Sequence, residues 1–161
     1  MREMRAAELM TPDPVTLPAE TPIIEVAKEL REHEIGSIPI INNYTENQLQ
    51  GIITDRDIVV RCLALGHDPR RCTAGQHMTE NVATARPGDL VGRVMELMQG
   101  AQVRRVPVVD DNGRVLGIIA QADLAVEAAR DRAISGLDVA ATLERISNPA
   151  RPERKSTPHH H

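Results

Sequence analysis

The sequence predicts a mixed α/β (α+β) fold: two tandem β-α-β-β-α units packed about a pseudo-two-fold axis. The chain matches itself at a nearly constant offset, and apolar residues in each copy switch between helical and strand spacing. Its 161 residues suffice for one domain or two small ones. At an offset of 68, Met10-Thr11 falls on Met78-Thr79, and Ile38-Pro39-Ile40-Ile41 falls on Val106-Pro107-Val108-Val109. The stripe Ile23, Val26, Ala27, Leu30 falls on Val91, Val94, Met95, Met98. The offset then drops to 66, because residues 42–50 form a segment two residues longer than 110–116. Gly51-Ile52-Ile53 and Asp57 thus fall on Gly117-Ile118-Ile119 and Asp123.

Each element has its own signal. Thr11-Pro12-Asp13-Pro14 is turn chemistry, and the extended Val15-Thr16-Leu17 follows it. Thr21-Pro22 reads as a helix N-cap with proline at the first helical position; Asp89 takes the cap in the second unit. A short apolar strand follows each helix. Asp111-Asn112-Gly113 is a hairpin turn, and residues 42–47 replace it with a longer polar loop in the first unit. A third strand ends at Ile53 or Ile119, and a second helix starts near Asp55 or Gln121. Continuous apolar strands imply sheets buried on both faces. One unit of about 60 residues buries too little surface to be comfortable alone, so the two share a core. The expected divisions are 1–70, 71–130, a C-terminal helical extension over 131–147, and a disordered tail over 148–161. His159 to His161 read as a tag remnant.

Composition narrows the function. Aromatics are 1% of the chain and the net charge is −4, so neither base stacking nor phosphate attraction favours a nucleic-acid partner. No apolar run approaches the ~18 residues of a membrane span, and no secretory leader is evident. A cytoplasmic location follows as the expectation. Cys62 and Cys72 lie outside any CxxC pattern and read as reduced thiols, with a disulfide as the minor alternative. His33, His67 and His77 have no metal-ligand spacing, so no metal is expected. Phosphate-loop, dinucleotide and nucleophile-elbow motifs are lacking, so no enzyme is expected and no cofactor is required.

Met10-Thr11, Ile38-Pro39-Ile40 and Gly51-Ile52-Ile53-Thr54-Asp55-Arg56-Asp57 resemble the signature of a CBS domain. Met78-Thr79, Val106 to Asp110 and Gly117 to Asp123 resemble it a second time. Two in tandem are similar to a Bateman module. The resemblance implies a regulatory fold that binds an adenosine-containing ligand (AMP, ADP, ATP, NAD(H) or S-adenosylmethionine) in clefts between the repeats, and pairing into a dimer. It assigns ribose binding to Asp57 and Asp123, and a ligand role to Thr54. Ala120, which stands where Thr54 stands in the first copy, has no hydroxyl.

The residues admit this chemistry on their own terms. A threonine ending a strand with a carboxylate three residues on forms a capping box. The same helix start offers N–H groups and a favourable dipole to phosphate, and a carboxylate suits a ribose cis-diol. Helix capping alone is the competing explanation for Thr54 and Asp57. Arg56 sits in the first helical turn, against the dipole, a mild hint that it serves an anion. Arg104-Arg105 stands where the first unit has Gly36-Ser37. The resemblance implies that a basic residue at this place reaches a ligand phosphate. Adjacent strand side chains point oppositely, so only one of the two would face the cleft. A solvated edge arginine is the competing explanation. Ile38, Ile40, Val106 and Val108, with Val15-Thr16 and Ala83-Thr84, are candidate walls for a flat base, the strand residues serving equally as sheet core. The leading function is a stand-alone sensor of an adenosine ligand; a structural or interaction protein with vestigial sites is the alternative. A homodimer is expected through Ile58, Val59, Leu63, Leu65, Leu97 and Met98, with an unidentified protein target possible. The Thr54–Asp57 cleft is expected to bind more tightly than the Ala120–Asp123 cleft.

Overall fold

The computed structural model describes residues 4–130 and Ile146. The expected C-terminal extension and tail lie outside the described residues, Ile146 apart. The elements in chain order are α1 (Ala6–Leu9), β1 (Thr11–Pro12), β2 (Leu17–Pro18), α2 (Ile23–Glu32), β3 (Ser37–Ile41) and β4 (Leu49–Thr54). Then come α3 (Asp55–Asp57), running straight into a π-helical segment Ile58–Leu63, α4 (Ala74–His77), α5 (Val91–Ala101), β5 (Arg105–Val109), β6 (Val115–Ala120) and α6 (Gln121–Arg130). In the second repeat isolated bridges, Thr79 with Ile52 and Ala85 with Val108, stand where the opening strand was expected; otherwise both repeats take the predicted order. The short helices α1 and α4 precede it; four residues carry too little periodicity to announce themselves.

Two three-stranded sheets form, β2-β3-β4 and β1-β6-β5. The second contains an exchange between repeats. Strand β1 belongs to the first repeat by sequence, yet it pairs antiparallel with β6 of the second, Thr11 opposite Ile118. Its counterpart Thr79 pairs with Ile52 of the first repeat. The exchange explains the glycine in each Gly-Ile-Ile motif. A Cβ on Gly51 would lie 2.6 Å from the Thr79 carbonyl, and one on Gly117 would lie 2.9 Å from the Thr11 carbonyl. Only a residue without a Cβ lets the crossing strand approach that closely. The units are therefore interlocked by main-chain bonds as well as by packing.

The helix caps differ from the expectation. Helix α2 begins at Ile23 with Pro22 as N-cap, and no side chain caps it. Its free N–H groups are met by main chain instead: Ile23 N–H donates to the Cys72 carbonyl and Ile24 N–H to that of Pro69, both 2.9 Å or shorter. Helix α5 begins at Val91, whose N–H donates to the Met4 carbonyl, while the Asp89 carboxylate accepts from the Arg86 N–H. Orphan helix donors need a partner, and the crossing segments supply it.

Strand β3 is buried along its whole length. Ile38, Ile40 and Ile53 join Ile23, Val26 and Leu30 in one core; Val106, Val108 and Ile119 join Val91, Val94, Met98, Leu124 and Ile146 in the other. The hairpin at Asp111-Asn112-Gly113 forms as predicted. Gly113 takes φ +79°, and the Asp110 carboxylate accepts from the N–H groups of Asn112 and Arg114, each 2.9 Å.

Candidate functional site

The exchange brings the first turn of α6 against the start of β3. Between them lies a cavity of about 460 Å³, within the roughly 300–1,000 Å³ of small-molecule sites. Thr11, Asp13 and Val15 line it from the crossing segment, Ile35, Gly36, Ser37 and Pro39 from the first repeat, and Arg105, Ile118, Ala120 and Asp123 from the second.

Asp123 is placed by its own helix start: its Oδ2 accepts from the Ala120 N–H at 2.7 Å. That bond orients the carboxylate of a residue that lines the cavity. Arg105 begins β5, and its guanidinium lies over Gly36, where a Cβ would come within 2.6 Å of Nη2. Gly36 is thus the vacancy that admits the arginine. Of the two adjacent arginines, Arg105 lines the cavity; Arg104 precedes the strand and is exposed. The site holds a carboxylate suited to a cis-diol, a guanidinium suited to a phosphate or carboxylate, a helix N-terminus and an apolar wall.

Thr54 and Asp57 do not line this cavity. They close a full capping box: Asp57 N–H donates to Thr54 Oγ1 at 3.1 Å, and Thr54 N–H to Asp57 Oδ2 at 3.0 Å. The other carboxylate oxygen stands 3.7 Å from Arg61 Nε, and the Asp57 side chain is 14% exposed. Arg56 is exposed. Asp57 and Asp123 each accept one bond from the N–H three residues back; they differ in that Asp57 also faces Arg61, while Asp123 lines the cavity.

The expected walls need correction. Ile38, Ile40, Val106 and Val108 are fully buried in the two cores. Alternation along a strand puts Ser37 and Pro39 on the other face, and these line the cavity. Thr16 is half-buried and outside the cavity lining, where its neighbour Val15 takes part; Thr84 lines a separate cavity of about 490 Å³ with Asn81, Arg86 and Asp110. The sequence reading missed Pro39, Ile35 and Asp13. Its available signal was Gly36-Ser37, a small pair opposite two arginines in the repeat alignment.

The family model for the CBS domain matches residues 6–63 and 74–130. The chain belongs to the CBS-domain family. Its two copies form a CBS domain pair. An uncharacterized Methanopyrus kandleri protein, MK0525, is 36% identical over 125 residues, 77% of this chain and 62% of that one, so the chain spans about three fifths of that relative. Hypoxic response protein 1 of Mycobacterium tuberculosis is 38% identical over 99 residues, 62% of this chain and 67% of that one. A crystal structure of Hypoxic Response Protein I, described with two coordinated zinc ions, superposes with a TM-score of 0.70 at 32% identity, covering 76% of this chain and 98% of that one. The CBS domain pair of MJ0100, in complex with 5′-methylthioadenosine and S-adenosyl-L-methionine, gives 0.71 at 32% identity, covering 80% and 98%. This CBS pair has no helix, among its described residues, long and apolar enough to cross a membrane.

Proposed function

We propose that this CBS pair is a regulatory module that binds an adenosine-containing ligand in the cavity between its repeats, and that it acts through conformation or assembly rather than catalysis. The observation carrying the proposal is the convergence of Asp123 and Arg105, from the second repeat, with the Gly36–Pro39 segment of the first. A ligand seated there touches both repeats, so binding biases their relative arrangement. Asp123 accepts from the ribose hydroxyls. Arg105 and the N-terminus of α6 receive the anionic part, a phosphate or the carboxylate of S-adenosylmethionine. Pro39, Ile35 and Ile118 face the base. The MJ0100 complex, at 32% identity, supports the ligand class.

Isothermal titration against AMP, ADP, ATP, NAD(H) and S-adenosylmethionine, on protein freed of co-purified ligand, tests the assignment. Heat is expected with at least one; none with any of them refutes it. The same ligand is expected to stabilise the fold. At a hundred times its Kd the linkage contribution is about 2.7 kcal/mol, a rise of roughly 5–11 °C in Tm for a chain of this size. A saturating ligand that leaves Tm unchanged counts against selective binding to the native state.

The working unit of the proposal is a homodimer. Val59, Val60, Leu63 and Leu65 expose about half or more of their surface on one stretch, and Val126 does so on α6. Val60 and Val126 are equivalent under the 66-residue offset, so both repeats contribute exposed apolar surface, which an isologous two-fold contact with a second copy would cover. Ile58 and Met98, expected at this contact, belong instead to the cores, and Leu97 packs against one of them. Sedimentation equilibrium at micromolar concentration is expected to give twice the chain mass, and Leu63→Glu with Val60→Glu to give the monomer. A monomeric wild type refutes the dimer.

A further inference from the structure

The link between the repeats gathers two thiols and an imidazole that the adenosine cavity does not use. One ligand atom each from Cys62, Cys72 and His77 falls within 4.8 Å of the others. They arrive from three elements. Cys62 lies on the π-helical segment after α3, Cys72 at the end of the connecting loop, and His77 on the last position of α4. In the chain they are ten and five residues apart, a spacing that matches no familiar ligand motif. The π-helical winding closes it in space. Ala64 N–H donates to the Val59 carbonyl at 2.8 Å and His67 N–H to the Cys62 carbonyl at 3.0 Å, both across five residues. Such winding adds a residue to the turn, and is frequent at functional sites.

Two further observations point inward. His77 Nε2 is buried with no hydrogen-bond partner among the described residues, a costly arrangement for a ring nitrogen unless something occupies it. The His67 ring stands edge-on to that of His77, with centroids 5.5 Å apart, beside the three donors. Cys62 is fully buried, and its thiol reaches the His67 carbonyl at a weak 3.6 Å and the Cys72 side chain.

We propose that Cys62, Cys72 and His77 form a binding site for a thiophilic divalent metal ion, zinc by preference, that ties the end of the first repeat to the start of the second. Two sulfurs and one imidazole are the donor set of a tetrahedral zinc site with a fourth position for water or for His67. Loading forms two metal–sulfur bonds and one metal–nitrogen bond. It releases the two thiol protons to solvent, and the resulting site carries no net charge. No electron is transferred. Burial pushes the Cys62 thiol up, helped by Cys72 and Asp68, and burial pushes the His77 imidazole down, helped by His67 and Arg61. The site lies on the same helical stretch as Asp57, so loading also fixes the start of that stretch.

The test uses the full chain with His159, His160 and His161 replaced by Gln, because those terminal residues bind metal themselves. Reduced, metal-free protein is titrated with Co²⁺ and then with Zn²⁺. One equivalent per chain is expected, with thiolate-to-cobalt charge-transfer absorption and intense ligand-field bands of tetrahedral geometry, bleached by zinc. Cys72→Ser and His77→Gln are each expected to weaken zinc by more than the ~100-fold that second-sphere changes reach. His77→Cys is expected to restore stoichiometric binding with a stronger charge-transfer band from a third thiolate, a result that mere structural damage cannot give. Chelation is expected to lower Tm in the parent and to leave His77→Gln unmoved. The proposal is overturned by sub-stoichiometric binding at micromolar metal, by unchanged affinity in both Cys72→Ser and His77→Gln, or by a Cys62–Cys72 disulfide in protein isolated without oxidant.

Discussion

Asp123→Ala is expected to weaken the adenosine ligand by roughly ten- to a hundredfold, while Asp57→Ala leaves the tight phase of the same titration in place. A hydrogen bond to a charged group contributes about 1.5–3 kcal/mol, which converts to that range of Kd. The direction reverses what the motif alone suggests. The first repeat has the fuller signature, with Thr54 and Asp57 both present. In the structure Asp57 is held within its own helical stretch, where one carboxylate oxygen accepts from Thr54 N–H and the other faces Arg61. Asp123 makes a single bond within its own helix start, to Ala120 N–H, and lines the cavity that Arg105 also enters. The two substitutions should therefore separate into different measurements. Asp57→Ala removes the N3 half of the capping box, keeps the Thr54 cap, and costs about 1 kcal/mol of stability. Asp123→Ala costs affinity. Arg105→Ala is expected to follow Asp123→Ala, with a larger loss at low salt, since salt screens a cation that is only partly buried. If Asp57→Ala abolishes the tight phase and Asp123→Ala spares it, the ligand occupies the other cleft.

What the sequence made legible was whatever repeats or keeps a period. The 68- and 66-residue offsets located both units, and the changes of spacing located α2, α5 and the four long strands. The starts of the second helices at Asp55 and Gln121 were readable from strand-ending motifs. Contacts between segments distant in the chain were not. Pro22, and not Thr21, ends up as the cap because carbonyls of the connecting loop reach the helix start. Strands β1 and β2 have two residues each, too few to show alternation, so nothing local says that β1 pairs with β6. The site divided along the same line. Asp123 and Arg105 could be named from motif and position; that they share one cavity with Gly36 and Pro39 depends on the exchange of strands. The proximity of Cys62, Cys72 and His77 depends on a π-helical turn, which leaves no mark in hydrophobic spacing.

Ile40→Ala is expected to lower stability by about 2–5 kcal/mol while the folded protein keeps the wild-type Kd within about twofold. The motif made Ile40 a wall for the base, and the structure makes it core. It is fully buried, sits opposite Leu17 on one side and Gly51 on the other, and packs with Ile23, Val26 and Ile53. Shortening it removes three carbons from a site enclosed by a helix and two neighbouring strands, which cannot collapse freely, so the cost includes a cavity as well as lost transfer energy. For a chain of this size the loss corresponds to roughly 4–20 °C in Tm. Thermal melts of wild type and variant are compared at one protein concentration, because a dimer's apparent stability varies with it. Its strand neighbour behaves differently. Pro39 faces the cavity, so Pro39→Ala is expected to lower affinity, and its Tm loss to be smaller than that of Ile40→Ala. The pair of variants thus reads the two faces of one strand. A wild-type melt for Ile40→Ala together with weakened ligand would return Ile40 to the wall and move the ligand to the opposite face of β3.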